Sequence, residues 1–152
     1  MNRLSGILVV AGFLISPGVA FAINCIAGPG YVQYSASQVN NLLTGSVACY
    51  PATGTVFSNQ EAHYSGGILG DYKKGPAGPG VVDPTLTNIG NWGVNLTTGQ
   101  LTYTYLPSKA YTYFIFGSNF ANPGTGTYDF CPSVGATPIQ IRVKKASTGP
   151  CP

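Results

Sequence analysis

Glycine and proline punctuate this chain so densely that long uninterrupted elements are excluded over most of it. Twenty-one glycines and 12 prolines occupy 33 of its 152 positions. Both residues break helices and initiate turns. At about 22 % their share sits just below the level typical of low-complexity, disordered chains. The aromatic content decides against disorder: aromatics make up 12 % of the residues and include 10 tyrosines. A chain rich in turns, tyrosine and β-branched residues can form a packed β protein.

Charge narrows the class further. Only 7 % of the residues are charged, against roughly 25 % in an average soluble domain. Seven Lys/Arg against four Asp/Glu leave a formal charge of +3, too sparse to form the basic stripe that nucleic acid requires. No nucleic-acid partner is expected. The length suits one core rather than several domains.

The N-terminal segment reads as an export signal over residues 1–22. Asn2-Arg3 forms a short positive start, Leu4 to Ile15 is apolar, Ser16-Pro17-Gly18 breaks the segment, and Ala20-Phe21-Ala22 is an A-x-A cleavage site. The apolar run of roughly 12 residues is short of the about 20 needed to cross a bilayer. A lipid anchor at Cys25 is not expected, because Asn24 and Ala22 stand where a lipobox requires a small residue and a leucine. The expected product is one secreted β domain, residues 23–152, released into the periplasm or outside the cell after cleavage following Ala22. It carries no membrane span. Its six Lys/Arg and four Asp/Glu leave a side-chain charge of +2. The signal is bacterial in style, and the sequon Asn95-Leu96-Thr97 is taken as a chance match.

All four cysteines, Cys25, Cys49, Cys131 and Cys151, lie in the exported part. An even number in an oxidising compartment predicts disulfides. Zinc is disfavoured because no C-x2-4-C pair is present and His63 is the lone histidine. Of the three possible connectivities, the nested one is expected, Cys49–Cys131 with Cys25–Cys151, joining an early strand to a late one and one terminus to the other.

Along the mature chain, residues 23–34 read as an irregular lead-in. The segment 35–45 predicts a short helix, with a serine cap, Val39, Leu42 and Leu43 on one stripe, and Gly45 after its end. Period-two patterns follow: 47–50, 60–65, 68–73, 89–94, 101–105, 111–116, 128–131 and 139–143. Gly66-Gly67 marks a two-residue hairpin, and the Gly/Pro-rich stretch 75–84 is a loop. Seven or eight strands with hairpin-length connections imply a mainly β fold. The expected form is an antiparallel meander closed or strongly curled into a lipocalin-like barrel, with one short N-terminal helix and disulfide staples.

The set Gln60-Glu61-x-His63, Asp71-Tyr72-Lys73-Lys74-Gly75-Pro76, Val82-Asp83-Pro84-Thr85, Gly90-x-Trp92-x-Val94, Leu101-Thr102-Tyr103-x-Tyr105 and Tyr128-x-Phe130-Cys131 resembles uncharacterised small secreted β proteins of proteobacteria. The resemblance spans roughly residues 42 to 131 and implies a secreted β domain without implying an activity. Gly90-Asn91-Trp92 is similar to the G-x-W triplet of lipocalins, which there opens the first strand but here stands far along the chain.

No nucleophile-and-base motif, C-x-x-C pair or phosphate loop is present. The chain is therefore read as non-enzymatic, without cofactor or metal. The arrangement with chemical content is Glu61 and His63, two apart on a strand and so on one face. Hairpin pairing across Gly66-Gly67 brings Asp71 or Tyr72 near Glu61, so Glu61, His63, Asp71, Tyr72 and Lys73 can form one cluster. Trp92, Tyr103 and Tyr105, with Tyr111 and Tyr113, are candidate liners of a cavity. The competing reading of the hairpin is a solvated face, and that of the aromatics is ordinary cross-strand packing. Three functions follow. The first is an exported module binding a protein partner or a small apolar ligand. The second is an envelope structural or assembly component, or an enzyme inhibitor. The third is a hydrolase using His63 with Glu61.

Overall fold

Alternation of side chains along the mature chain becomes strand pairing in the computed structural model, which describes residues 23, 25–52, 57–71, 86–118, 125–134, 137–145 and 151. The described elements are β1 (Tyr31–Gln33), α1 (Ala36–Leu43), β2 (Ser46–Tyr50), β3 (Asn59–His63), β4 (Ile68–Asp71), β5 (Leu86–Val94), β6 (Leu101–Tyr105), β7 (Lys109–Ser118), β8 (Thr125–Pro132) and β9 (Ile139–Lys145). Each strand from β2 to β9 pairs antiparallel with its sequence neighbour, and β9 pairs back onto β2. The result is a closed eight-stranded up-and-down barrel, as the succession of short alternating segments predicts. Closure satisfies every strand edge of the ring, which an open sheet would leave exposed.

The lead-in is more ordered than expected: β1 adds to the upper part of β7, with Val32 opposite Gly117. The helix caps one end of the barrel. Ser35 and Gln38 form a reciprocal capping box, Gln38 Oε1 accepting from the Ser35 backbone N–H at 2.9 Å. Val39, Leu42 and Leu43 are fully buried in a cluster with Leu69, Trp92, Leu101, Ile115 and Val143. At the other end of α1, Lys145 of β9 donates to the carbonyls of Asn41 and Thr44, a cation placed where the last turn leaves acceptors unsatisfied. The plug is thereby tied to the strand that closes the ring.

Two local features set the register on which the interior depends. At the β3–β4 turn, Gly66 and Gly67 have φ of 81° and 79°, and the Tyr64 N–H donates to the Ile68 carbonyl at 3.0 Å, so Ser65, Gly66 and Gly67 form a three-residue loop rather than the two-residue turn expected. The pairing that follows sets His63 opposite Leu69 and Glu61 opposite Asp71. In β5, the partners of Leu69 and Gly70 are Gly90 and Thr87, so Asn88 and Ile89 are extra residues in that strand. Asn88 takes φ 72° to make this bulge. At Gly90 a Cβ would stand 2.1 Å from the Thr104 carbonyl oxygen, so only glycine lets β5 and β6 approach.

The disulfides differ from the nested expectation. Cys25 bonds Cys131 and Cys49 bonds Cys151, with Cα separations of 5.7 and 6.0 Å. The pairs Cys49–Cys131 and Cys25–Cys151 are not formed, for a topological reason. Cys49 lies on β2 opposite Arg142 of β9, and β8 is one strand further round. Cys131 pairs with Phe114 of β7, along which β1 also runs, so the N-terminal Cys25 is the one brought to it. Cys151 lies on the outer face of β2 and β3. There Cys49 and Cys151 share a second apolar cluster with Val47, Phe57 and Ala62. The Cys151 backbone N–H donates to Gln60 Oε1 at 2.5 Å, and Arg142 covers the Phe57 ring at 4.7 Å.

Candidate ligand site inside the barrel

Alternate residues of the barrel strands point inward, and towards the end opposite α1 they surround a cavity of about 600 Å³. Its wall is built strand by strand. Ala48 and Tyr50 come from β2, Asn59 and Glu61 from β3, and Asp71 from β4. Tyr103 and Tyr105 come from β6, Lys109, Tyr111 and Tyr113 from β7, and Phe130, Ile139 and Ile141 from β8 and β9. The β5 bulge places Ile89 on the same wall. Two-residue periodicity places Tyr103 and Tyr105 on one inner stripe and Tyr111 and Tyr113 on the next.

The tyrosines form a continuous array rather than a filled core. Tyr103 touches Tyr105 and Tyr113 at ring-centroid distances of 6.2 and 6.1 Å, Tyr105 meets Tyr111 edge-on at 5.8 Å, and Tyr113 meets Phe130 at 5.8 Å. Tilted and edge contacts of this kind are the favoured aromatic geometry. They keep the rings apart and leave the space they enclose open. At the mouth, the Lys109 ammonium lies 5.0 Å above the Tyr111 ring, a cation–π contact.

Glu61 and Asp71, directly opposed on β3 and β4, both line this cavity. The Tyr105 hydroxyl donates a hydrogen bond to Glu61 Oε1. Burial and then the Glu61 charge raise the pKa of Tyr105 far above the ordinary phenol range, and Asp71 adds to that effect. The same two leading causes raise Tyr103 and Tyr113. All three hydroxyls therefore stay protonated at physiological pH.

His63 occupies a different place. It is 1 % exposed, beneath the cavity, with its Nε2 2.8 Å from the Tyr103 hydroxyl. Its ring meets Trp92 edge-on at 5.4 Å and tilts against Tyr103 at 5.5 Å. Burial pushes its pKa down to about 4, against a weaker upward pull from the backbone of Ser46 and Glu61. Trp92 is fixed in turn by its indole N–H, which donates to the Tyr64 carbonyl at 3.1 Å. His63, Trp92 and Tyr103 make the floor between cavity and plug.

The candidates read from the sequence thus separate into two layers. Glu61, Asp71, Tyr103 and Tyr105 come together at the cavity wall; His63 and Trp92 lie under it, with Tyr103 bridging the layers. Glu61 and His63 share the inner face, yet their described side-chain hydrogen bonds go to different tyrosines, Tyr105 and Tyr103. Tyr72 and Lys73 lie outside the described residues. Neither a family model, nor a curated protein, nor a solved structure matches this chain. Among the described residues no group of three or more His, Cys, Asp or Glu is placed to hold a metal ion. No helix among them is long and apolar enough to cross a membrane.

Tyr50, Asn59 and Lys109 are wall residues that sequence reasoning did not single out. Tyr50 ends the 47–50 pattern just before a proline, and Lys109 precedes the 111–116 pattern after a turn, so neither shows by itself which way it faces. The signal that locates them is register: once Glu61 is known to face inward, Asn59 and its partner Tyr50 follow by pairing, and Lys109 follows from Tyr105.

Proposed function

We propose that this protein is an exported, non-enzymatic β-barrel that carries a small ligand in its interior, in the periplasm or outside the cell. The cavity carries this reading. At about 600 Å³ it falls within the range of roughly 300–1,000 Å³ typical of small-molecule sites, and such sites are mostly apolar with a few converging polar groups. A plugged barrel with one aromatic-lined chamber matches that description. The depressed basicity and deep burial of His63 speak against hydrolysis by His63 with Glu61. Ring closure leaves little edge for strand addition, which weighs against an assembly role. Export is supported by the A-x-A signal and the two disulfides.

The test is titration with N-phenyl-1-naphthylamine, a neutral apolar reporter whose emission rises in a dry pocket, followed against the sole tryptophan, Trp92. Saturable binding is expected, and Ala48→Trp, which puts an indole into the chamber, abolishes it while the far-UV spectrum is kept. A reporter that does not bind, or that binds Ala48→Trp equally well, overturns the reading. Mass spectrometry of the exported product checks the location: it begins at Ile23 with the mass of two disulfides.

A further inference from the structure

The shape of the chamber selects its occupant more narrowly than its volume does. Among the described wall residues β7 supplies the longest inward file, Lys109, Tyr111 and Tyr113, and the other strands supply one or two each. Alternate residues along a strand are about 6.6 Å apart, so that file spans about 13 Å. A strand tilt of about 40° shortens it to a depth of about 10 Å along the barrel axis. Tyr103 and His63, joined by their hydrogen bond, close the bottom. A volume of about 600 Å³ in so shallow a space means a cross-section on the order of 60 Å², about 9 Å across. The chamber is as broad as it is deep. An extended acyl chain of that volume would have to coil to fit, losing rotamer freedom. A compact ring system enters without that loss.

The distribution of side chains around the ring points the same way. The described wall residues of β8 and β9, Phe130, Ile139 and Ile141, continue into Ala48 of β2 as one arc of hydrocarbon side chains. Asn59, Glu61 and Asp71 gather the amide and carboxylate groups on the adjoining strands β3 and β4. The tyrosines of β6 and β7 complete the ring. Tyr103 with Tyr105, Tyr103 with Tyr113, and Tyr105 with Tyr111 all meet tilted or edge-on. A flat guest therefore finds both ring faces and ring edges, in the offset and T-shaped geometries that aromatic pairs favour. A sugar is equally compact but carries hydroxyls around its whole rim. Those turned towards the hydrocarbon arc would lose water without gaining a partner. A fused aromatic ring has no such groups to strand, and the polar substituents it does carry can stand at one edge, towards β3 and β4.

We propose that the ligand is a compact planar aromatic compound of two or three fused rings, its body held between the tyrosines and the β8–β9–β2 arc and its polar edge turned to β3 and β4. This rests on the ligand-carrier reading above and adds the shape and chemical class of what is carried.

The test is calorimetric titration of the full exported chain at pH 7 into 2-naphthol, 1-decanol and methyl β-D-glucopyranoside. The first two share ten carbons and one hydroxyl and differ in flatness. Decanol exposes the more apolar surface, so unspecific burial would favour it. 2-Naphthol is expected to bind about tenfold or more tighter than either of the others. Its affinity falls about fivefold in Tyr113→Leu, which exchanges a wall ring for an aliphatic side chain, while decanol holds or gains. Tyr111→Leu, nearer the rim, carries the same expectation if Tyr113→Leu does not fold. Naphthol that is equalled by decanol or the glucoside in the unaltered protein, or that does not bind, overturns the proposal without recourse to any variant. So does naphthol that binds the tyrosine variants as tightly as before, or that binds the blocked variant Ala48→Trp undiminished. Each of these results leaves the carrier reading standing where N-phenyl-1-naphthylamine still binds. If neither that reporter nor any of the three compounds binds, the carrier reading fails first and this inference with it.

Discussion

Burial holds the His63 imidazole neutral in the folded protein until the pH falls to about 4, whereas its ordinary pKa is 6.5. The unfolded chain therefore binds a proton at a pH where the native state does not. Stability from this source is fully present above pH 6.5 and is lost as pH falls from 6.5 to 4, by about 3 kcal/mol in all. Urea unfolding at intervals across that window is expected to show this decline. His63→Gln, which keeps a polar contact for Tyr103 but cannot charge, is expected to start less stable and to lack the same slope. An unaltered protein whose stability is level from pH 6.5 to 4 would show that His63 is accessible to protons in the native state. That the side chain shares a face with Glu61 followed from their spacing; that this face is the inner one did not. Its depth did not, because depth depends on Trp92 arriving from another strand.

The β3–β4 hairpin shows how much an element can reveal by itself. Gly66-Gly67 between two alternating segments announces a tight hairpin, but the loop takes in Ser65 as well, and this extra residue sets Glu61 opposite Asp71 where a two-residue turn would have set it opposite Tyr72. The two glycines differ in what surrounds them. A Cβ on Gly66 meets open space, while one on Gly67 would stand 2.7 Å from the Trp92 carbonyl oxygen. Gly66→Ala is expected to cost about 1 kcal/mol, the penalty of a left-handed backbone alone. Gly67→Ala is expected to cost about 2–3 kcal/mol, since it also displaces the β5 strand that hydrogen-bonds to the turn, Trp92 N–H to Gly67 O at 2.7 Å. Chemical denaturation of the two variants measures the difference; equal costs would separate the turn from Trp92. The α1 helix was equally legible from its cap, stripe and terminal glycine. The β5 bulge was not. Asn88 leaves no mark in the alternation of its strand, and the irregularity is imposed by pairing with β4.

Across the whole molecule, each disulfide links residues more than a hundred positions apart, with separations of 106 and 102. In the loop-entropy model each contributes about 4–5 kcal/mol. Reduction is expected to lower the melting temperature steeply, and non-reducing peptide mapping to recover Cys25 with Cys131 and Cys49 with Cys151. A melting temperature unmoved by reduction would contradict the stapling role. A meander of seven or eight strands could be read locally because each hairpin declares its own neighbours. Cysteine partnership could not be read in that way, since it depends on which face of the barrel each terminus crosses. Nor could the chamber be told from a filled core. The same inward tyrosines serve both, and the difference lies in ring girth and in the small Ala48 on the wall.

The ring is completed where β9 lies down beside β2, nearly a hundred residues after β2 has been made, and Lys145 of that last strand also grips the plug helix. Until it arrives, β2 and β8 stand as two complementary open margins, each able to recruit the matching strand of another copy. Crowded, half-emerged molecules are thus predisposed to exchange their final strands. The Cys49–Cys151 bond fastens the outside of this seam, acting as a latch that distinguishes a chain closed on itself from one closed on its neighbour.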